Sequence, residues 1–154
     1  MILDNNVTMT ASLPQSIPAG AADSVTATRR ILIVDDEPAI LFAYRKLLER
    51  EDIVVDTSES LVEALEMIST HTYFAVIADM RLAGTDNADG MQVLRSIQNI
   101  QSDAKVILIT GYGNKDIEQT ALDLGAAYYF EKPVIPSAIL SALKIMAITI
   151  TALV

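Results

Sequence analysis

After residue 28, short apolar segments recur along the chain, and segments with apolar residues at helical spacing separate them. The first of them, Ile31-Leu32-Ile33-Val34, is a continuous apolar run of the kind that buried parallel strands have. The segment after it places Ile40, Ala43, Tyr44 and Leu47 three or four residues apart, as one face of a helix requires. Strands that alternate with helices at these lengths predict an α/β fold with a mostly parallel sheet.

The pattern predicts five strands and five helices. Pro38 and Pro136 suit the first turn of a helix, and Gly125 suits the C-terminal cap of a helix over about 115–124. For five strands, the leading arrangement is a doubly wound sheet in the flavodoxin-like order 2-1-3-4-5. The predicted strands cover 31–34, 53–55, 73–78, 105–109 and 127–130.

The length of 154 residues suits one domain, which we place at 29–154. Residues 1–28 are rich in Ser, Thr, Ala, Asn and Pro without a lasting apolar period, and they are predicted to form a flexible leader. The tail, Ile145–Val154, carries no charge. It is too short to span a bilayer, and it fits either a last helix packed on the domain or an exposed apolar contact surface.

Composition excludes several kinds of site. The chain has no cysteine and a single histidine, His71, so cysteine or histidine metal clusters are excluded and a serine–histidine triad is disfavoured. The formal net charge of −9 argues against direct binding to nucleic acid. The N-terminus lacks the pattern of a secretion signal, which predicts a cytoplasmic protein without membrane association.

Acidic residues follow two of the predicted strands. Asp35-Asp36 ends strand 1 and Asp79 ends strand 3, while Thr110 follows strand 4 and Lys132 follows strand 5. In the order 2-1-3-4-5, the strand order reverses between strands 1 and 3, and ligands bind at the carboxyl ends of the strands there. These side chains are therefore expected to converge on one site.

Three neighbouring carboxylates repel one another, and a hard divalent cation relieves that repulsion. An oxygen-only ligand set suits Mg²⁺, and a carboxylate can also attack phosphorus and form an aspartyl phosphate. Lys132 and Thr110 suit the phosphoryl oxygens. Taken singly, these residues have simpler roles, because Asp36 could cap a helix, Thr110 could be a turn residue and Lys132 could be solvated.

The four strand ends together resemble the signature of two-component response-regulator receiver domains, over about residues 30–145. The resemblance implies that Asp79 is the phosphoacceptor and that Lys132-Pro133 is a cis peptide. It also implies a Mg²⁺ site, phosphoryl-oxygen contacts and a switch pair. Asp36, Asp35, Asp79 and the Arg81 carbonyl would form the Mg²⁺ site. Thr110 and Lys132 would contact the phosphoryl oxygens. Thr110 and Tyr129 would form the switch pair, whose side chains move on phosphorylation.

The resemblance further implies a sensor histidine kinase or a histidine phosphotransfer protein as the phosphoryl donor. The protein would catalyse only its own phosphorylation and dephosphorylation, and it would switch a protein-interaction face, with a homodimer as one outcome.

Two large side chains, Arg81 and Tyr112, follow Asp79 and Thr110 by two residues and predict slow self-dephosphorylation. One departure is the loop at 82–90, where Leu82-Ala83-Gly84 replaces the family's short Pro-Gly turn.

Two other classes of protein share parts of this pattern. A phosphatase of the haloacid-dehalogenase type would carry its nucleophile after strand 1 and a second acid two residues later, whereas Asp35-Asp36 is followed by Glu37 and Pro38. An interaction module that has lost phosphorylation would lack one of the acids or the lysine. The chain has the full set, which favours the receiver.

Overall fold

The computed structural model describes residues 27–82 and 89–152, with side chains through residue 147. In this part of the chain, five parallel strands form one sheet in the order β2-β1-β3-β4-β5, as predicted. The strands are β1 (Arg29–Val34), β2 (Ile53–Ser58), β3 (Ala75–Asp79), β4 (Lys105–Thr110) and β5 (Tyr128–Glu131). The helices are α1 (Pro38–Leu48), α2 (Leu61–Thr70), α3 (Asp89–Ile100), α4 (Lys115–Asp123) and α5 (Pro136–Ala152).

The sheet separates two apolar layers, which explains the continuous apolar runs. Successive side chains of a strand point to opposite faces, so Leu32 and Val34 pack in one layer while Ile31 and Ile33 pack in the other. The first layer includes buried residues of α2, α3 and α4, and the second includes those of α1 and α5. Because both faces are covered, a polar side chain in the centre of β1 would lose its water without gaining a partner.

Local signals at the helix ends agree with the sequence prediction. Pro38 begins α1, and the Asn114 side chain caps α4 by accepting a hydrogen bond from the Ile117 amide at 2.9 Å. Gly125 follows α4 with a φ of +98°, a left-handed conformation that glycine adopts without steric cost. These ends set the lengths of α1 and α4 and therefore the positions of the loops at the carboxyl edge of the sheet.

All five observed strands differ from the predicted ones by one to three residues at their ends. β1 begins at Arg29 instead of Ile31, and β4 ends at Thr110 instead of Ile109. β2 continues through Ser58, because Asp56 pairs with Leu32 of β1 and its carboxylate accepts hydrogen bonds from Arg30 at 2.7 Å and Tyr73 at 2.9 Å. β3 begins at Ala75 instead of Tyr73, and β5 extends to Glu131. Pairing with a neighbouring strand therefore decided these ends, and the local apolar run did not.

Of the apolar tail Ile145–Val154, the structure describes side chains only for the first three residues, so the role of the tail stays a prediction. The α5 backbone stays helical through Ala152, with Met146 buried in the core and Ile145 exposed over half of its surface. His71, the single histidine, directly follows α2 and is exposed. Most of the leader predicted for residues 1–28 lies outside the described residues.

Among the described helices, none is both long and apolar enough to cross a membrane.

Candidate functional site

Three carboxylates meet at the carboxyl edge of the sheet, where the strand order reverses. Asp35 and Asp36 directly follow β1, and Asp79 is the last residue of β3, the parallel neighbour of β1. Each of the three offers an oxygen, and these oxygens lie within 4.8 Å of one another. Asp35 and Asp79 are buried, whereas Asp36 is exposed. We call these three residues the acid cluster.

Lys132 supplies the positive charge of the site. Its Nζ lies 2.7 Å from Oδ2 of Asp79 and 3.5 Å from Oδ2 of Asp35. Its backbone amide donates to the Thr110 carbonyl at 2.7 Å, and the following Lys132-Pro133 peptide is cis, as predicted. Burial lowers the pKa of Lys132, but the hydrogen bond to Asp79 and the nearby carboxylates raise that pKa by more. The lysine therefore stays charged beside Asp79.

The donor set of the acid cluster fits a hard divalent cation. Burial raises the pKa of the Asp35 carboxyl, and the hydrogen bond from the Glu37 amide and the charge of Lys132 offset this only in part. A cation placed among the oxygens of the three residues would stabilise the ionised form of the buried Asp35 carboxyl and reduce the repulsion between the carboxylates. Oxygen ligands with one exposed member suit a cation that keeps part of its water shell. The acid cluster could therefore hold a metal ion.

The other predicted site residues lie at the ends of the neighbouring strands. Thr110 ends β4, is buried, and lies one residue beyond Ile109, the partner of Asp79 in the strand register. Its Oγ1 accepts a hydrogen bond from the Tyr112 amide at 3.1 Å. The Arg81 amide donates to Oδ1 of Asp79 at 3.0 Å, which holds the backbone after β3 against the carboxylate. The structure thus gathers Asp79 with its predicted neighbours, while their chemical roles stay predictions.

Tyr129, the predicted switch aromatic, packs beside Thr110. Its hydroxyl is buried, and burial raises the pKa of Tyr129, while a hydrogen-bond interaction with the Thr110 side chain offsets part of that rise. A Cβ added to Gly113 would lie 2.5 Å from this hydroxyl oxygen and 3.0 Å from Cγ2 of Thr110. The sequence prediction missed Gly113, because nothing in the segment Gly111-Tyr112-Gly113 distinguishes its two glycines before the fold is known.

The sequence prediction also missed the two residues that begin α3. The carboxylate of Asp89 accepts a hydrogen bond from the Leu82 amide at 3.1 Å and so ties the two ends of the segment after β3. A Cβ on Gly90 would lie 2.9 Å from the carbonyl oxygen of Asp79, so the helix approaches the strand end closely. Asp before an apolar helix pattern is a known start signal and could have indicated Asp89.

Comparisons with known proteins agree with this geometry. The family model described as response regulator receiver domain matches residues 31–144. The acid tolerance regulatory protein ActR of Rhizobium meliloti (strain 1021) is 32% identical over 133 residues, which cover 86% of this chain and 67% of that protein. Sporulation initiation phosphotransferase F of Bacillus subtilis (strain 168) is 30% identical over 104 residues, which cover 68% of this chain and 82% of that protein.

A solved structure shows the same arrangement of strands and helices. The response regulator receiver domain protein from Clostridium thermocellum has a TM-score of 0.71 and 31% identity, and the match covers 82% of this chain and 99% of that one. The family model alone spans well over half of the chain. The chain therefore belongs to the family of response regulator receiver domains.

Proposed function

We propose that Asp79 accepts a phosphoryl group from a phosphohistidine on a sensor histidine kinase or a histidine phosphotransfer protein. The observation that carries the proposal is the contact of 2.7 Å between Lys132 and Asp79 inside the acid cluster. A carboxylate beside a cation and two further acids is suited to receive a phosphoryl group, because that transfer depends mainly on positioning and charge neutralisation. The similarity to sporulation initiation phosphotransferase F supports the same chemistry.

The side chains of the site have separate tasks in this reaction. One oxygen of Asp79 forms the bond to phosphorus while the bond between phosphorus and the donor nitrogen breaks. Lys132 neutralises charge on the phosphoryl oxygens, and the Thr110 hydroxyl donates a hydrogen bond to one of them. The Arg81 amide, which donates to Oδ1 of Asp79, fixes the orientation of the carboxylate.

Asp35, Asp36 and Asp79, together with the Arg81 carbonyl, would hold Mg²⁺. When bound, this ion would neutralise carboxylate charge and charge on the transferring phosphoryl group. Asp36 is the exposed member of the acid cluster and is suited to contact the ion directly, while the buried Asp35 helps to position it. The oxygen-only donor set favours hard divalent cations, such as Mg²⁺, over softer transition metals.

The output would be a change of the protein-interaction face at β4, β5 and the neighbouring helices. Thr110 moves toward the phosphoryl group, and Tyr129 responds because the two side chains are neighbours beside Gly113. The partner of this face would be another protein or a second copy of the chain. The relative ActR is longer than the matched region, so the output of its whole chain is not carried over.

An interaction module that works without phosphorylation is the remaining alternative from a different class. It would keep the fold but would have no need for a buried carboxylate in contact with a lysine. A haloacid-dehalogenase phosphatase is disfavoured further, because Asp35 is buried and in contact with Lys132 while Glu37, two residues later, is exposed.

The test is incubation of the protein with a small-molecule phosphodonor and Mg²⁺, followed by intact-mass measurement. We expect the mass increase of one phosphoryl group in the wild type and none in Asp79→Asn. Asp103→Asn is the matched control, since Asp103 is exposed in the turn before β4 and should leave the phosphorylation rate unchanged. Uptake by Asp79→Asn at the wild-type rate would refute the assignment of the acceptor.

A further inference from the structure

A cavity of about 170 Å³ lies at the end of the sheet opposite the acid cluster. It is partly open to solvent and is lined by the beginnings of β1 and β2, the end of α1 and one side of α5. Its apolar wall consists chiefly of Ile31, Leu48, Ile53, Phe74, Leu140 and Leu143. The reaction proposed above uses none of these residues, so the cavity is separate from the phosphorylation site.

Cationic side chains form the polar part of this cavity. Arg29, Arg50 and Lys144 line it, and no acidic residue is found among its described lining residues. This is unusual for the chain, in which 20 acidic residues outnumber 11 lysines and arginines. Arg29 also lies with its guanidinium carbon 5.0 Å from the centre of the Phe74 ring, so one cation is held directly at the apolar wall.

The combination of an apolar wall and cationic residues selects a class of ligand. An apolar cavity of roughly 150 Å³ is large enough for a benzene ring. A carboxylate attached to such a group would form charge-assisted hydrogen bonds with guanidinium or ammonium groups. We propose that this cavity binds the anion of a small apolar carboxylic acid of about the size of benzoate.

Such a ligand would contact three elements that are distant in sequence. Leu48 ends α1, Ile31 belongs to β1 and Leu143 belongs to α5. A ligand that binds only when these elements are packed together stabilises the folded state in proportion to its occupancy. Binding should therefore raise the melting temperature even when the acid cluster is empty of metal and phosphate.

The test uses the full chain with benzoate, benzyl alcohol and benzylamine, which share a ring and differ in charge. Thermal unfolding and two-dimensional NMR titration provide the readouts. We expect benzoate to bind with the highest affinity, on the order of fivefold tighter than the alcohol, and to lose that advantage in high salt. Equal affinity for the three compounds, or no binding, would overturn the proposal.

Variants locate the site. Lys144→Gln and Arg50→Gln should each weaken benzoate binding by roughly threefold without changing benzyl alcohol binding. Arg95→Gln is the matched control, since Arg95 is an exposed cation on α3 and does not line the cavity. Ala147→Leu, which adds side-chain volume at the cavity wall, should weaken the binding of both benzoate and benzyl alcohol. Unchanged benzoate binding in all three cavity variants would place the ligand elsewhere, whatever the result at Asp79.

Discussion

The guanidinium carbon of Arg81 lies 4.6 Å from the centre of the Tyr112 ring, so side chains that follow two different strands stack on each other. Arg81 is two residues after Asp79, and its amide donates to the Asp79 carboxylate. Tyr112 is two residues after Thr110 and exposes 73% of its surface. The stack therefore bridges the two segments that flank the proposed acceptor.

This stack predicts slow loss of the phosphoryl group. Neither side chain is a carboxylate or an amide that could orient an attacking water molecule. Arg81→Asn and Tyr112→Glu, singly and together, should speed the decay of phosphorylated protein, by roughly tenfold if the barrier falls by about 1.4 kcal/mol. Phe42→Glu is the control, because Phe42 forms a similar stack with Lys46 on α1. An unchanged decay rate in the double variant would contradict a role for the stack.

Metal binding should stabilise the protein before any phosphorylation. At a Mg²⁺ concentration ten times the dissociation constant, the free energy of unfolding should rise by about 1.4 kcal/mol. Asp36→Ala should remove this effect more completely than Asp35→Ala, because Asp36 is the proposed direct ligand. Denaturant unfolding with and without Mg²⁺ measures the difference, with Asp103→Ala as control. The same response to Mg²⁺ in all variants and the wild type would argue against the site.

The close contact at Gly113 provides a test of the proposed switch. Gly113→Ala would place a Cβ 2.5 Å from the Tyr129 hydroxyl oxygen and should push the ring out of its position. Gly111→Ala is the matched control, since a Cβ there meets nothing within 4 Å. NMR of fluorine-labelled tyrosine reports the ring environment. Adding Tyr129→Phe to Gly113→Ala should recover the stability that Gly113→Ala loses, measured as the free energy of unfolding in denaturant. Failure of this rescue would assign the effect to the neighbouring Oε1 of Glu131, which would lie 2.7 Å from the added Cβ.

Replacing Gly90 by alanine is expected to lower the free energy of unfolding, although Gly→Ala usually raises it in a helix. In an ordinary helix, Gly→Ala stabilises by roughly 0.5–1 kcal/mol. A Cβ on Gly90 would instead lie 2.9 Å from both the Asp79 carbonyl oxygen and the Met80 Cα, and backbone atoms cannot move aside cheaply. Gly90→Ala should therefore destabilise the protein by about 1–3 kcal/mol and slow phosphorylation at Asp79. Stabilisation in denaturant unfolding would show that α3 can shift away from the strand.

The sequence pattern was enough to predict the five strands, their order and the convergence of Asp35, Asp36, Asp79 and Lys132. Strands buried on both faces need continuous apolar runs, so in β1, β3, β4 and β5 the first polar residue after the run lies at the strand end or directly after it. Parallel strands place all such ends on one edge, and the order of the strands then decides which ends are neighbours. These relationships depend on local pattern and topology, both of which can be read along the chain.

Contacts that depend on packing between distant segments could not be predicted from the sequence and became visible in the folded structure. Asp56 continues β2, although it is polar, because Arg30 and Tyr73 satisfy its carboxylate. Gly113 differs from Gly111 because the side chains of Tyr129, Glu131 and Thr110 lie against it. A sequence pattern sets which face a side chain is on, but the distance between two side chains is fixed by the relative placement of whole elements, and that placement follows from the packed core.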